Sequence, residues 1–116
     1  MNLYRYRAVF KSNYDGDTIT VDIDLGMNIW LHNRRVRLFG IDTPELRSSN
    51  EQERIQAIKA RDFVSRRISI NSIVTIETHK DETGKYGRLL GTVILKTGEN
   101  LNQLLVENGL AKSVNY

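Results

Sequence analysis

The chain of 116 residues has no cysteine and a single proline. Without cysteine there are no disulfides and no thiolate metal ligands, and the redox compartment stays unread. No apolar run approaches the ~18 residues that a membrane-spanning helix needs, so no membrane partner is expected. Aromatic residues make up only 8% of the chain, and the net charge is only +3, from 17 basic and 14 acidic side chains. So mild a surplus permits a polyanionic partner without demanding one. The stretch MNLYRYRAVF has no basic region followed by an apolar one. It is therefore not expected to act as a signal peptide, and localisation is left open. What is present is ordinary globular composition, 40% hydrophobic and 27% charged. The length suits one domain over residues 1–116. A monomer is expected.

Strict alternation marks the strands. In TITVDIDL (18–25), Ile19, Val21, Ile23 and Leu25 alternate with Thr18, Thr20, Asp22 and Asp24, the pattern of a half-buried strand. YRYRAVF (4–10) alternates before it, with residues 14–17 as the turn. Gly26 and Asn28 point to a hairpin, after which IWLHNRRVRLFGI returns as a third strand. Residues 50–68 change period. Ile55, Ile58, Ala60, Phe63 and Val64 fall near helical spacing, with Ser49 or Asn50 as the cap and Arg66 and Arg67 in the last turn. SIVTIET (72–78) and RLLGTVIL (88–95) read as two more strands, joined by DETGKYG. Asn100 caps a short helix, LNQLLVEN, which Gly109 ends. The order βββ-α-ββ-α predicts a mainly β, α+β fold: the five-stranded Greek-key barrel of the OB-fold.

Strand parity singles out two carboxylates. Asp17 shares parity with Ile19 and Val21, and Asp42 with Val36 and Leu38, so each closes an apparently inward row. A carboxylate so placed needs a partner or a cation to stay charged. The bland alternative is a pair of turn residues at a wet barrel rim, since DGDT and DTPE are both turn-like. Arg37 lies five residues before Asp42, which in an unbroken strand puts the two on opposite faces. Gly40, between them, is the place for a kink that returns them to one side. Arg88 starts a strand after a glycine turn, where an edge arginine is common, and Lys85 and Tyr86 lie beside it.

DGDT (15–18), RLFGIDTPE (37–45) and KYGR (85–88), in that order with a helix between the last two, resemble the staphylococcal nuclease (thermonuclease) family. The resemblance runs from about residue 6 to 112 and includes LVENGLAK. It implies an OB-fold domain that hydrolyses DNA and RNA with one Ca²⁺ and leaves 3′-phosphate ends. Residue by residue, Asp17 and Asp42 resemble the metal carboxylates, and Thr43 the donor of a backbone carbonyl to the same ion. Glu45 resembles the carboxylate that activates or positions the attacking water. Arg37 and Arg88 resemble the phosphate-binding arginines, and Lys85 and Tyr86 the nucleotide contacts.

The segment 26–33, GMNIWLHN, is longer than in the family's best-known member, and Trp30 is expected in the core. A family tyrosine that contacts nucleotide aligns with Asn115, with Tyr116 one position out of register. The chain stops where the family often carries a further helix. His32 and His79 match no catalytic role and are expected in solvent. The rival reading is an inactive binding module for nucleic acid or protein. Such a module is free to lose Asp17, Arg37, Glu45 or Arg88, and all are present.

Overall fold

The alternating stretches pair as their pattern requires. The computed structural model describes residues 4–80 and 89–114. It contains β1 (Arg5–Asn13), β2 (Thr18–Asp24), β3 (Trp30–Leu38), β4 (Ile41–Asp42), α1 (Glu51–Arg67), β5 (Ile73–His79), β6 (Leu89–Ile94), α2 (Leu101–Glu107) and β7 (Lys112–Ser113). Five strands close a barrel in the order β1-β2-β3-β6-β5. The pairs are antiparallel except β3 with β6, where Val36, Arg37 and Leu38 lie parallel to Leu89, Leu90 and Gly91. This is the expected α+β barrel. The two-residue strands β4 and β7 are additions that the alternation did not reveal. They pair Ile41 with Ser113 and Asp42 with Lys112.

The inward rows make the core: Ala8 and Phe10 from β1, Ile19, Val21 and Ile23 from β2, Val36 and Leu38 from β3, with Val74, Ile76 and Val93 from β5 and β6. Each such aliphatic side chain contributes about 1.5–3 kcal/mol by leaving water. Leu25 does not join them, although its parity fits. β2 stops at Asp24, and Leu25 enters the turn, 39% exposed. Trp30 is also outside the core, 39% exposed at the start of β3 and stacked near His32 with ring centroids 6.3 Å apart. A register shift between Val21 and Ile23 explains the change of face. It turns Leu31 inward against Ile23 and leaves Trp30 opposite the outward Asp24.

Of the two candidate caps of α1, Ser49 and Asn50, the structure uses Asn50. The Asn50 side chain accepts from the Glu53 amide, and Arg66 and Arg67 occupy the last turn. The buried face is Ala57, Ala60 and Val64, whereas Ile55 and Ile58 are 39% and 42% exposed. Small residues face the barrel because the backbone there comes close. A Cβ on Gly16 would sit 2.7 Å from Ala60 Cβ and 2.9 Å from Thr43 Cγ2. Ile58, about 100° further round the helix than Ala57, points away. Helix α2 buries Leu101 and Leu105 and ends at Gly109 (φ 70°), where the Leu110 amide returns to the Leu105 carbonyl. Among the described residues no helix is long and apolar enough to cross a membrane.

Candidate active site

Arg37 ties the two aspartates together. It lies on the outer face of β3 opposite Thr18, yet its side chain is only 12% exposed. After Leu38 the strand breaks at Phe39 and Gly40, and Gly40 takes a φ of 78°. The break folds the chain back over the guanidinium. Nη1 donates to the carbonyls of Leu38 (3.0 Å) and Ile41 (2.9 Å). Nη2 bonds Asp42 Oδ1 and lies 3.4 Å from Asp17 Oδ2. The kink expected at Gly40 therefore brings Arg37 and Asp42 to one side. It also corrects the inward placement of Asp42, whose side chain is 56% exposed. Parity carries only along an unbroken strand, and this one breaks between Leu38 and Ile41.

Asp17 is the buried member. Its Oδ2 accepts from the Thr43 amide at 3.1 Å and its Oδ1 from the Thr18 hydroxyl at 3.3 Å. Its own amide donates to Asp15 Oδ1 at 3.0 Å, and its carbonyl accepts from the Leu38 amide at 2.8 Å. Burial, then the charge of Asp17, pushes the Asp15 carboxyl up to about 6. Thr43 is buried beside Asp17, and among the described residues its hydroxyl is the buried side-chain polar atom left without a hydrogen-bond partner.

Glu45 lies in the loop between β4 and α1. Its amide donates to Glu53 Oε1 at 3.3 Å, and the Ser48 hydroxyl donates to Glu53 Oε2 at 2.7 Å. These bonds, the Ser48 hydroxyl foremost, hold the Glu53 carboxyl below its usual range. The Glu45 carboxylate is exposed and makes no hydrogen bond or ion pair among the described residues. Two open clefts meet at it. One, of about 650 Å³, is lined by Asp42, Thr43, Glu45, Glu53 and Lys112 among others. The other, of about 430 Å³, runs between Tyr14, Asp15, Arg35, Glu45, Leu46 and Arg47.

Asp17, Arg37, Asp42, Thr43 and Glu45 thus gather at one rim of the barrel. Arg88, Lys85 and Tyr86 lie outside the described residues, as do Asn115 and Tyr116. His32 is in solvent as expected, 67% exposed and 3.2 Å from Asp22. His79 is not. It is half-buried, stacked on Phe39 at 4.0 Å, with Nε2 2.9 Å from the Thr92 hydroxyl.

Three further residues shape the site, and sequence reasoning misses them. Glu53 holds the Glu45 loop, and its signal is the Asn50-x-x-Glu53 spacing of a capping box. Lys112 faces Asp42 across the β4–β7 pair, with no local signal. Asn102 is 5% exposed within α2. It accepts from the Val93 amide at 3.1 Å and donates to the carbonyls of Phe39 (2.9 Å) and Gly91 (3.1 Å). It therefore pins the turn that carries Asp42, and nothing in the run LNQLL separates it from its neighbour Gln103.

The donors at this rim fit a hard cation. Among the described residues no three His, Asp or Glu side chains gather as a metal cage. Two carboxylates drawn to one guanidinium, beside an orphaned threonine hydroxyl, still form an all-oxygen set. Such a set leaves the remaining positions to water, as the loose shell of Ca²⁺ allows.

Residues 35–116 match the family described as Staphylococcal nuclease homologue. The chain is 36% identical over 102 residues to the thermonuclease of Staphylococcus hyicus, covering 88% of this chain and 56% of that protein. It is 35% identical over 106 residues to the thermonuclease of Staphylococcus intermedius, covering 91% and 58%. Endonuclease YhcR of Bacillus subtilis (strain 168) is 30% identical over 111 residues, covering 91% of this chain and 9% of that protein. The chain thus spans a little over half the length of the two thermonucleases and a small part of the endonuclease.

Proposed function

The chain belongs to the staphylococcal nuclease family, and on that premise we propose that it is a Ca²⁺-dependent phosphodiesterase. It hydrolyses DNA and RNA with little sequence specificity and leaves 3′-phosphate ends. One observation carries this reading: Arg37 draws Asp17 and Asp42 into one cluster, and Glu45 opens on the same cleft as Asp42. The names thermonuclease and endonuclease borne by its relatives support the nuclease reading.

Asp17, Asp42 and the Thr43 carbonyl would hold the Ca²⁺, which when bound neutralises a phosphate oxygen and makes water a better nucleophile. Every other part of the work falls to side chains of the chain itself. The Glu45 carboxylate, without another partner among the described residues, takes the proton of the attacking water, an effect of roughly 10²–10⁴-fold. Arg37 keeps Nη1 anchored on two backbone carbonyls. Its Nη2 edge faces the carboxylates, and that edge meets the phosphate. Arg88 supplies a second guanidinium to the charge that gathers on phosphorus, with bidentate geometry that lysine does not match. Lys85 and Tyr86 contact the bound nucleotide. Contacts to phosphate and stacked base carry little sequence information, which accounts for weak specificity.

The test is cleavage of single-stranded DNA and of RNA, with Ca²⁺ and then with excess chelator. Cleavage is expected with Ca²⁺ and not with chelator. Glu45→Gln is expected to lower kcat by about 10²–10⁴-fold while the protein stays folded, and Arg88→Ala to cause a comparable loss. Binding of both nucleic acids without cleavage would make the chain a binding module instead.

A further inference from the structure

The cleft on the far side of Glu45 is not used by the reaction just described, and it brings two arginines and a tyrosine together. We propose that Tyr14, Arg35 and Arg47 form a second subsite, which holds the phosphate and base of single-stranded nucleic acid adjacent to the bond being cut. The ligand class rests on the nuclease reading; the geometry stands apart from it.

Arg35 and Arg37 pair with Thr20 and Thr18 in register, so both point outward from β3, about 7 Å apart along the strand. A phosphodiester chain leaving Arg37 along this face meets Arg35 next. Arg47 reaches the same cleft from the loop between β4 and α1. The two arginines thus line one cleft from separate elements. Neither makes an ion pair or a side-chain hydrogen bond among the described residues. By contrast Arg5, Arg61 and Arg67 are paired with carboxylates. Guanidiniums left open in a concave site suit a phosphate, which they grip bidentately.

Tyr14 supplies the stacking surface. It is 55% exposed at the wall of the cleft, so its ring serves no core. A phenol ring beside two arginines is the pairing that binds an unpaired base and its phosphate without reading sequence. Asp15 also lines the cleft, with Oδ1 accepting from the Asp17 amide. Glu45 lies where the two clefts meet, so a strand bound in both would cross the candidate catalytic carboxylate.

The test measures binding and cleavage separately. Fluorescence anisotropy with a labelled octanucleotide of single-stranded DNA, in chelator, reads affinity without hydrolysis. Arg35→Gln/Arg47→Gln is expected to weaken binding about tenfold and to flatten the dependence of log K on log salt by about 0.7 for each phosphate that is no longer neutralised. Tyr14→Leu is expected to weaken it roughly tenfold, and Tyr14→Phe hardly at all, because the ring does the stacking. With Ca²⁺, the arginine variant is expected to raise KM for the octanucleotide more than for a dinucleotide. An unchanged salt slope and affinity in the arginine variant would overturn the subsite, as would equal losses for the long and short substrates. Wild-type protein that binds through these arginines but cuts nothing would uphold the subsite and sink the nuclease reading. Wild-type protein that binds no oligonucleotide would sink both.

Discussion

Asp17 and Asp42 meet at one guanidinium, but they are held in different ways. Asp17 immediately precedes β2, is nearly buried, and is bonded by the Thr43 amide and the Thr18 hydroxyl. Its main chain also joins the end of β3. Asp42 sits past a broken strand with its side chain half in water, held by Arg37 and by pairing with Lys112. The barrel fixes the first carboxylate. The second depends on a turn, on one arginine and on a strand from the far end of the chain. Of the two, the second is the easier to displace without unfolding the protein.

That contrast can be broken most severely at Asn102. Asn102→Ala removes the donor to the Phe39 carbonyl and the acceptor of the Val93 amide, while the Gly91 carbonyl keeps only the Phe39 amide. A loss of about 3 kcal/mol is expected in urea unfolding. Ca²⁺ affinity, measured by titration calorimetry, should fall as well, because the turn that places Asp42 is released.

The contrast sharpens in the two single replacements. Asp17→Ala leaves the Thr43 amide buried without an acceptor, at about 1–3 kcal/mol. Asp42→Ala removes one half of a partly exposed ion pair, at about 1 kcal/mol or less. Both should abolish Ca²⁺-dependent cleavage. Equal unfolding free energies for the two variants in chelator would show that the barrel does not favour Asp17.

The smallest effect lies beside Asp17. The Asp15 carboxyl is raised from the usual 3.8 to about 6 by burial and by its charged neighbour. A raised carboxyl binds its proton more tightly in the folded state. The fold therefore loses stability from this group as pH rises from about 4 through 6. Asp15→Asn keeps an acceptor for the Asp17 amide and removes the charge. In chelator it should stabilise the protein at pH 7 by under ~1 kcal/mol, since the group is only half-buried. Thermal unfolding at lower pH should show the gain shrink and vanish below the usual carboxylate range. A gain that is the same at both pH values would mean that the Asp15–Asp17 repulsion is not its source.

How much of this was legible in advance differs from residue to residue. The cap of α1, to within Ser49 or Asn50, and Gly109 as the end of α2 were readable, because capping chemistry acts within a few residues. The inward rows of β2 and β3 were readable for the same kind of reason. Ile55 and Ile58 misled. A helical pattern says that a face exists but not which one, and the approach of Gly16 selected the alanines. Trp30 misled because a register shift in the hairpin turned its side chain outward. Glu53, Asn102 and Lys112 act on residues 8, 63 and 70 positions away, at Glu45, Phe39 and Asp42. No local pattern carries such a link.

By itself the sequence determined the barrel strands, the two helices and the inventory of the rim: two aspartates, a threonine, a glutamate and an arginine in two short motifs. Alternation and capping are short-range effects, and each is written in a few neighbouring residues. Only the tertiary structure decided that Arg37 reaches Asp42, that Asp17 is buried while Asp42 is not, and that Arg35 and Arg47 share a cleft with Tyr14. Those facts depend on where one strand breaks and on which distant elements close over the break. Periodicity holds only while a strand is continuous, so beyond Leu38 only the folded chain could say where the side chains point.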